Sequence, residues 1–333
     1  MNYTKYFNSI FLKIKNKSIL PPEYEMSIFK FDIKFTIPGF IYKSTKFDRS
    51  LSLSNINSED WYNDFIDKVV SSIGKNYLPI CRISDGEFLF FLGKQSLDIR
   101  YSFFKKLKLT ISNFKSNLIL KGGIGPFTNG HYHSGEYTSE ECLEARKMYP
   151  GLLKFISEKG ILALHLSYSN IPFHESYFPA LNNWLISHSI KLDNQNYYSF
   201  YFVYAMLTGL RKKEIYVNRK ILVINGANGE KKDNIIKGIL NEGAREVYWV
   251  SISLKKSLYD KIDINDYVGK VDLVFVGAGI GKPNILIQLE KLNVPCIDAG
   301  YVFEIWADPI NKFKRAFCAN DEDWKNNSNL LAN

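Results

Sequence analysis

The sequence is short of cysteine and lacks the spaced cysteine pairs that build structural metal sites. Its 333 residues include four cysteines, and no two of them form a Cys-x-x-Cys pair. This absence argues against a zinc ribbon and against a dithiol redox motif. Cys81 and Cys296 lie in apolar stretches typical of buried strands, where a thiol behaves as a small hydrophobic group. A reducing, cytoplasmic setting is therefore expected.

Long apolar runs are also absent. No stretch reaches the ~18 to 20 consecutive apolar residues that a membrane-spanning helix requires. Residues 1–17 mix aromatic and aliphatic side chains with four lysines and no acidic residue, without the uninterrupted apolar core of a signal peptide. Two interpretations of this segment stay open. It is an amphipathic basic helix in peripheral contact with the inner face of a membrane, or a terminal helix that frays or packs on the protein.

Motifs of several familiar chemistries are missing. The chain has no Gly-x-Ser-x-Gly elbow for a serine nucleophile and no recognisable DNA- or RNA-binding motif. The net charge is +9, and residues 1–50 contribute +5 of it, with nine Lys/Arg against four Asp/Glu. Excess positive charge favours anionic partners such as phosphorylated substrates or anionic lipid. Because basic and aromatic residues are not interleaved, we do not expect nucleic acid as the partner.

What the sequence does contain is a regular alternation of short apolar runs and helical patterns from about residue 55. The patterns predict strands at 77–83, 117–120, 161–166, 220–224, 246–252, 271–276 and 294–297. They predict helices at 61–73, 139–149, 175–188, 197–213, 233–241 and 284–292, with Pro150 ending the second. This rhythm indicates an α/β, Rossmann-like doubly wound domain, with a mainly parallel sheet and helices on both faces. We place this domain at residues 51–325, after a basic N-terminal extension at residues 1–50.

The most informative stretch is Arg82-Ile83-Ser84-Asp85-Gly86-Glu87. A strand-like run ends in an arginine, and two carboxylates follow with one glycine between them. Two ionised carboxylates so close together need a cation beside them. Oxygen ligands of this kind suit Mg²⁺ or Mn²⁺, so Asp85 and Glu87 are the candidate catalytic and metal-binding residues. The alternative is a solvated turn that happens to be acidic.

Two glycine-rich loops should lie at the same edge of the sheet as this acidic pair, because each follows a predicted strand. Glycines let main-chain amides approach a phosphate, and lysines add positive charge. The candidates for binding the phosphorylated ligand in these loops are Asn225, Gly226, Gly229, Lys231, Gly277, Gly279, Gly281 and Lys282, and Gly86 between the two carboxylates is a further one. Two alternatives remain, since the glycines also suit tight strand-to-helix turns, and the 277–281 loop would suit a nucleotide- or NAD(P)-dependent enzyme of another class. Its spacing matches neither a dinucleotide fingerprint nor a P-loop.

The segment Arg82–Glu87 resembles the Arg-x-Gly-Asp-Gly-Glu signature of GT-D-type glycosyltransferases, whose hallmark is an Asp-x-Glu motif. The strand and glycine-loop patterns of 220–240 and 271–283 resemble the same family. So does Cys296–Tyr301, which is similar to the family's Ala-Ile-Asp-Ile-Gly-His segment. The resemblance covers roughly residues 55–320, with 100–200 poorly matched. Ser84 and Tyr301 depart from the usual glycine and histidine.

The resemblance implies a metal-dependent glycosyltransferase that uses Mn²⁺ or Mg²⁺. The donor would be a nucleotide-diphosphate-sugar, with a UDP-sugar expected first. The acceptor would be a hydroxyl of a glycan or lipid-linked glycan in bacterial surface polysaccharide or glycoconjugate synthesis. Asp85 and Glu87 would hold the metal that neutralises the leaving diphosphate, or one of them would take the acceptor proton. Arg82 would pair with the diphosphate or with Asp85, and Asp298 and Glu304 would bind sugar hydroxyls.

Overall fold

The protein is described from a computed structural model. It describes residues 58–83, 87, 90, 139–164, 184–193, 195–253, 256–314, 318 and 323. In this part of the chain seven strands form one sheet. They are β1 (Leu78–Ile83), β2 (Ile161–Leu164), β3 (Tyr197–Ser199), β4 (Lys220–Asn225), β5 (Glu246–Ser251), β6 (Leu273–Gly277) and β7 (Pro295–Asp298).

The strands lie side by side in the order β3-β2-β1-β7-β6-β4-β5, and every pairing between them is parallel. The central strands are largely apolar and almost entirely buried, as is typical of a parallel sheet covered on both faces. The predicted Rossmann-like α/β fold is therefore confirmed. One consequence matters for function: the carboxyl ends of all seven strands meet at one edge of the sheet.

Seven helices accompany the sheet among the described residues. They are α1 (Ser58–Ser72), α2 (Ser139–Lys159), α3 (Phe200–Thr208), α4 (Lys213–Tyr216), α5 (Gly229–Asn241), α6 (Lys282–Ile287) and α7 (Val302–Ala307). Short 3₁₀ turns cover Ser257–Tyr259, Asn265–Tyr267, Gly279–Gly281, Glu290–Leu292 and Pro309–Lys314. Helix α2 packs on α6, whereas α3 contacts α1 and α7, and α7 contacts α5.

The two groups of helices cover opposite faces of the sheet. Successive side chains of a strand point to opposite faces. In β1 the thiol of Cys81 lies near Lys282 of α6, whereas the next side chain, Arg82, contacts Tyr204 of α3. On the α3 side, aromatic rings fill the space between sheet and helices. Trp61 contacts Phe202, and Phe275 contacts Trp306.

Three of the predicted helices were wrong in their extent. The one predicted at 284–292 is α6, which ends at Ile287, and a separate 3₁₀ turn at Glu290–Leu292. Helix α2 does not stop at Pro150 but continues to Lys159. Proline costs one main-chain hydrogen bond there, and the burial of Leu153 and Ile156 in the added turns offsets that loss.

The segment predicted as one helix at 197–213 begins instead with strand β3. Its residues Tyr197–Ser199 are fully buried beside β2. The Ser199 side chain then accepts a hydrogen bond from the Tyr201 amide and caps α3, so the change from strand to helix occurs at that residue.

Several predictions fall outside the described residues. These include the strand at 117–120, the extension at residues 1–50 with its basic segment 1–17, and most of the helix predicted at 175–188. Among the helices that are described, none has both the length and the apolar character needed to cross a membrane.

Candidate functional site

The predicted site residues that the structure describes come from distant parts of the sequence and lie at the carboxyl edge of the sheet. Arg82 lies near the end of β1, whereas Asn225, Gly277 and Asp298 are the last residues of β4, β6 and β7. These four strands are neighbours in the sheet. Because adjacent strands lie about 4.8 Å apart, β4 and β1 are separated by roughly 14 Å along this edge.

Arg82 and Asp298 form the best-defined contact of the site. The Arg82 guanidinium donates through Nη2 to Oδ1 of Asp298 at 2.9 Å and through Nε to the Asp298 main-chain carbonyl at 2.7 Å. The Arg82 amide donates to Oδ2 of Asp298 at 3.2 Å. Side chain and main chain therefore both lock β1 to β7 at the point where the strands end. This geometry is specific to a guanidinium, which presents several donors in one plane.

Lys282 lies between two carboxylates. Its Nζ is 2.9 Å from Oδ2 of Asp298 and 2.6 Å from Oε1 of Glu87. Lys282 is the first residue of α6, which directly follows the Gly279–Gly281 turn after β6. Glu87 follows β1 by four residues. The turn after β6 thus places the Lys282 ammonium beside the Glu87 carboxylate, which follows β1.

We call Arg82, Asp298, Lys282 and Glu87 the buried quartet. Their relative exposures are 6%, 2%, 3% and 3%. Two cations and two carboxylates alternate along the contacts, so the quartet is neutral overall. Charges buried this deeply are tolerated only when each is paired and hydrogen-bonded.

The ionisation of the quartet follows from its contacts. Burial by itself raises the pKa of Asp298, but Arg82 and Lys282 reverse this, and the pKa lies below its ordinary value. Burial likewise lowers the pKa of Lys282, but Asp298 and Glu87 outweigh it and raise the pKa above the ordinary lysine value. Both groups are therefore charged at neutral pH.

Two residues that the sequence did not single out complete the surroundings of Arg82. Tyr204 of α3 accepts a hydrogen bond from Nη1 of Arg82, and the guanidinium carbon lies 4.6 Å from the centre of the Tyr204 ring. Gly300 follows β7 with a φ of +49°, and a Cβ there would overlap Nη2 of Arg82. Gly300 belongs to the segment that resembles the GT-D family, so the sequence contained a signal that could have identified it. Tyr204 lies in an apolar helix among many aromatics, and no pattern distinguished it.

The other glycine-loop candidates lie beside the quartet at the ends of β4 and β6. Asn225 donates through Nδ2 to the Gly277 carbonyl at 3.1 Å and accepts from the Ala227 amide at 2.8 Å. The connections leaving β4 and β6 run in opposite directions, to β5 and to β7. In open α/β sheets, ligands bind at the carboxyl ends of the strands where the connections reverse in this way.

Close packing explains why some of these positions are occupied by glycine. A Cβ at Gly277 would lie 2.6 Å from the Phe303 ring, and one at Gly281 would lie 2.5 Å from the Ser257 backbone. Gly229 and Gly279 differ, because they adopt φ values of +50° and +51° and are exposed. Gly226 is partly exposed in the loop after β4.

Two further candidates pair with each other, apart from the quartet. Nζ of Lys231 lies 2.6 Å from Oε1 of Glu304, with both side chains about half exposed. An exposed pair of this kind contributes little stability. Both residues therefore remain accessible from solvent at this edge.

The described residues do not fit a divalent metal at Glu87. Asp85 and Gly86 lie outside them, and no group of three or more His, Cys, Asp or Glu side chains within them could hold a metal ion. The Glu87 carboxylate is instead bound by the Lys282 ammonium. A metal would have to be held largely by Asp85 and by other groups beyond the described segments.

Comparisons of the chain with models of protein families, with curated proteins and with solved structures gave no match.

Proposed function

We propose that the chain is a glycosyltransferase that moves a sugar from a nucleotide-diphosphate-sugar to an acceptor hydroxyl of a glycan or lipid-linked glycan. One observation carries the proposal. Three of the four segments that carry the GT-D resemblance are far apart in sequence but contact each other through the buried quartet: Arg82–Glu87, 271–283 and Cys296–Tyr301. A shared site explains why all of them are present in one chain.

The donor would lie along the carboxyl edge between β4 and β1. Its diphosphate would approach the 225–229 loop, at the N-terminus of the 13-residue helix α5. Main-chain amides and the helix dipole favour an anion there, and Lys231 and Lys232 add positive charge in the first turn. The sugar would then extend toward β7 and β1, where the quartet lies.

In this proposal, different residues of the chain have different roles in catalysis. The loop amides and lysines stabilise the charge that develops on the leaving nucleoside diphosphate. Asp85 or Glu87 accepts the proton of the acceptor hydroxyl. The contacts of the neutral quartet hold the Glu87 carboxylate beside Lys282, and the quartet has no net charge that would attract the donor. That Mn²⁺ or Mg²⁺ takes part stays a prediction of the resemblance.

The competing interpretation, in which 277–281 binds NAD(P), finds less support. Gly277 and Gly281 have packing reasons to be glycine, as their close neighbours show. Neither position requires a bound dinucleotide.

The test uses a panel of UDP-sugars and other nucleotide-sugars, with NAD(P) as the comparison. Binding is measured by thermal stabilisation of the full chain, and turnover is measured by release of nucleoside diphosphate with Mn²⁺ or Mg²⁺ present. Asp85→Asn and Glu87→Gln should each lower turnover by about a hundredfold or more. Glu158→Gln is the matched control, because Glu158 is exposed at the C-terminal end of α2, just before β2 begins and thus at the opposite edge of the sheet. Stabilisation by NAD(P) but by no nucleotide-sugar would contradict the proposal.

A further inference from the structure

We propose that Lys282 is the resident cation of the acidic site, and that Glu87 is not a metal ligand in this protein. The Lys282 ammonium takes the position at Glu87 that the resemblance assigns to a divalent ion. The role of Lys282 in catalysis rests on the proposed function, in which Lys282 is a positioning residue that acts through Glu87. Which cation binds Glu87 does not depend on that function.

The first argument is the geometry of the ammonium. An ammonium has three donors and no acceptor, and two carboxylate oxygens lie within 2.9 Å of Nζ on different segments of the chain. A magnesium or manganese ion on Oε1 of Glu87 would lie no more than about 5 Å from Nζ, given oxygen ligands at about 2.1 Å. Two cations that close repel strongly where water is excluded.

The second argument is the charge balance of the quartet. Arg82 and Lys282 already neutralise Asp298 and Glu87, and all four side chains are buried. A divalent ion would add two positive charges with no carboxylate of the quartet left to offset them. Buried charge without a partner is expensive, so metal binding at Glu87 would require Lys282 to leave.

The third argument is that Lys282 is held in place by its own turn. Ser257 donates to the Ala278 carbonyl at 2.6 Å, and a Cβ at Gly281 would lie 2.5 Å from the Ser257 backbone. The residue just before Lys282 therefore fits only as glycine against Ser257. The start of α6 is fixed by this packing, so the lysine is built into the site.

The experiment is Mn²⁺ binding to the full chain, followed by electron paramagnetic resonance and calorimetry without any substrate. Glu87→Gln should leave Mn²⁺ affinity unchanged, whether the wild-type protein binds Mn²⁺ through other groups or does not bind it. Lys282→Met keeps the length of the side chain but removes its charge. It should therefore create a new Mn²⁺ site, tighter than wild type by about tenfold or more. Adding Glu87→Gln to Lys282→Met should abolish the gain, and Lys282→Arg should not produce it.

Two results would overturn the inference. One is a wild-type Mn²⁺ site that Glu87→Gln weakens by about tenfold or more, because Glu87 would then be a ligand. The other is a folded Lys282→Met protein that gains no Mn²⁺ binding. If Lys282→Met does not fold, the comparison of wild type with Glu87→Gln still decides whether Glu87 binds metal.

Failure of the proposed function would look different. In that case no nucleotide-sugar would be turned over or bound, whatever the Mn²⁺ experiment shows. Metal binding and donor turnover thus report on the two proposals separately.

Discussion

Gly300 packs directly against the Arg82 guanidinium, and a side chain at Gly300 would occupy the position of Nη2 of Arg82. Gly300 also adopts a φ of +49°, in the left-handed region that disfavours other residues. Two independent constraints therefore act on one position. The segment after β7 can approach β1 this closely only without a Cβ.

We expect Gly300→Ala to lower the free energy of unfolding by about 2 to 5 kcal/mol, from the left-handed backbone and the displacement of Arg82 together. Gly229→Ala is the matched control for unfolding. Gly229 has nearly the same φ, +50°, but nothing lies within 4 Å of its Cβ position. It should cost only about 1 to 2 kcal/mol in urea denaturation. Equal costs for the two variants would show that contact with Arg82 is unimportant.

Asp298 makes stability depend on pH in the acid range. Its pKa in the folded protein lies below the ordinary value of 3.8, so the unfolded chain binds the proton more readily. The contribution of Asp298 is therefore fully present above about pH 4 and is lost as pH falls through the folded pKa. Asp298→Asn should lower the free energy of unfolding by about 3 to 5 kcal/mol at pH 7 and should flatten this acid dependence.

An exposed aspartate provides the comparison for Asp298. Asp67 contacts Arg211 at 2.7 Å but is 66% exposed, so Asp67→Asn should cost at most about 1 kcal/mol. Urea denaturation at pH 7 and at pH 3 measures both variants. A similar loss for the two would mean that burial adds nothing to the Asp298 pair.

Tyr204 positions Arg82 from the helix side. Tyr204→Phe keeps the ring under the guanidinium but removes the acceptor of the Nη1 hydrogen bond. We expect a loss of about 1.5 to 3 kcal/mol in unfolding free energy, as for a hydrogen bond to a charged group. Tyr77→Phe removes a neutral bond to the Leu286 carbonyl, 2.9 Å long, and should cost about 1 kcal/mol. The prediction fails if Tyr204→Phe proves the milder of the two.

Asn225 ties the ends of β4 and β6 together, and a donor bound at this edge of the sheet would lie next to it. In Asn225→Asp a carboxylate replaces the donor to the Gly277 carbonyl, at a cost of about 1 to 3 kcal/mol. The new charge should also weaken nucleotide-sugar binding, measured by calorimetry. The control is Asn293→Asp, because Asn293 joins Lys75 and Tyr77 in a similar way before β1 and β7 begin. Asn293→Asp should leave donor affinity unchanged, and an equal loss in both variants would place the donor elsewhere.

The sheet was predictable because its strands are short apolar runs separated by helical patterns. Six of the seven strands coincide closely with predicted strands, and β3 was missed because its three residues precede a helix without a break in apolar character. The helix end predicted at Pro150 was wrong because sequence signals are local. A local helix-breaking signal was outweighed by burial that depends on neighbours far away in sequence.

The sequence by itself determined the fold class, six of the seven described strands, and the candidates Glu87 and Lys282. These follow from residue type and spacing, which are local properties, whereas Asp298 became a candidate through the family resemblance. Only the tertiary structure decided how the candidates pair, that Lys282 rather than an open acidic pair faces Glu87, and that Tyr204 and Gly300 enclose Arg82. Those contacts join residues up to 216 positions apart, and it is the register and order of parallel strands that brings them together.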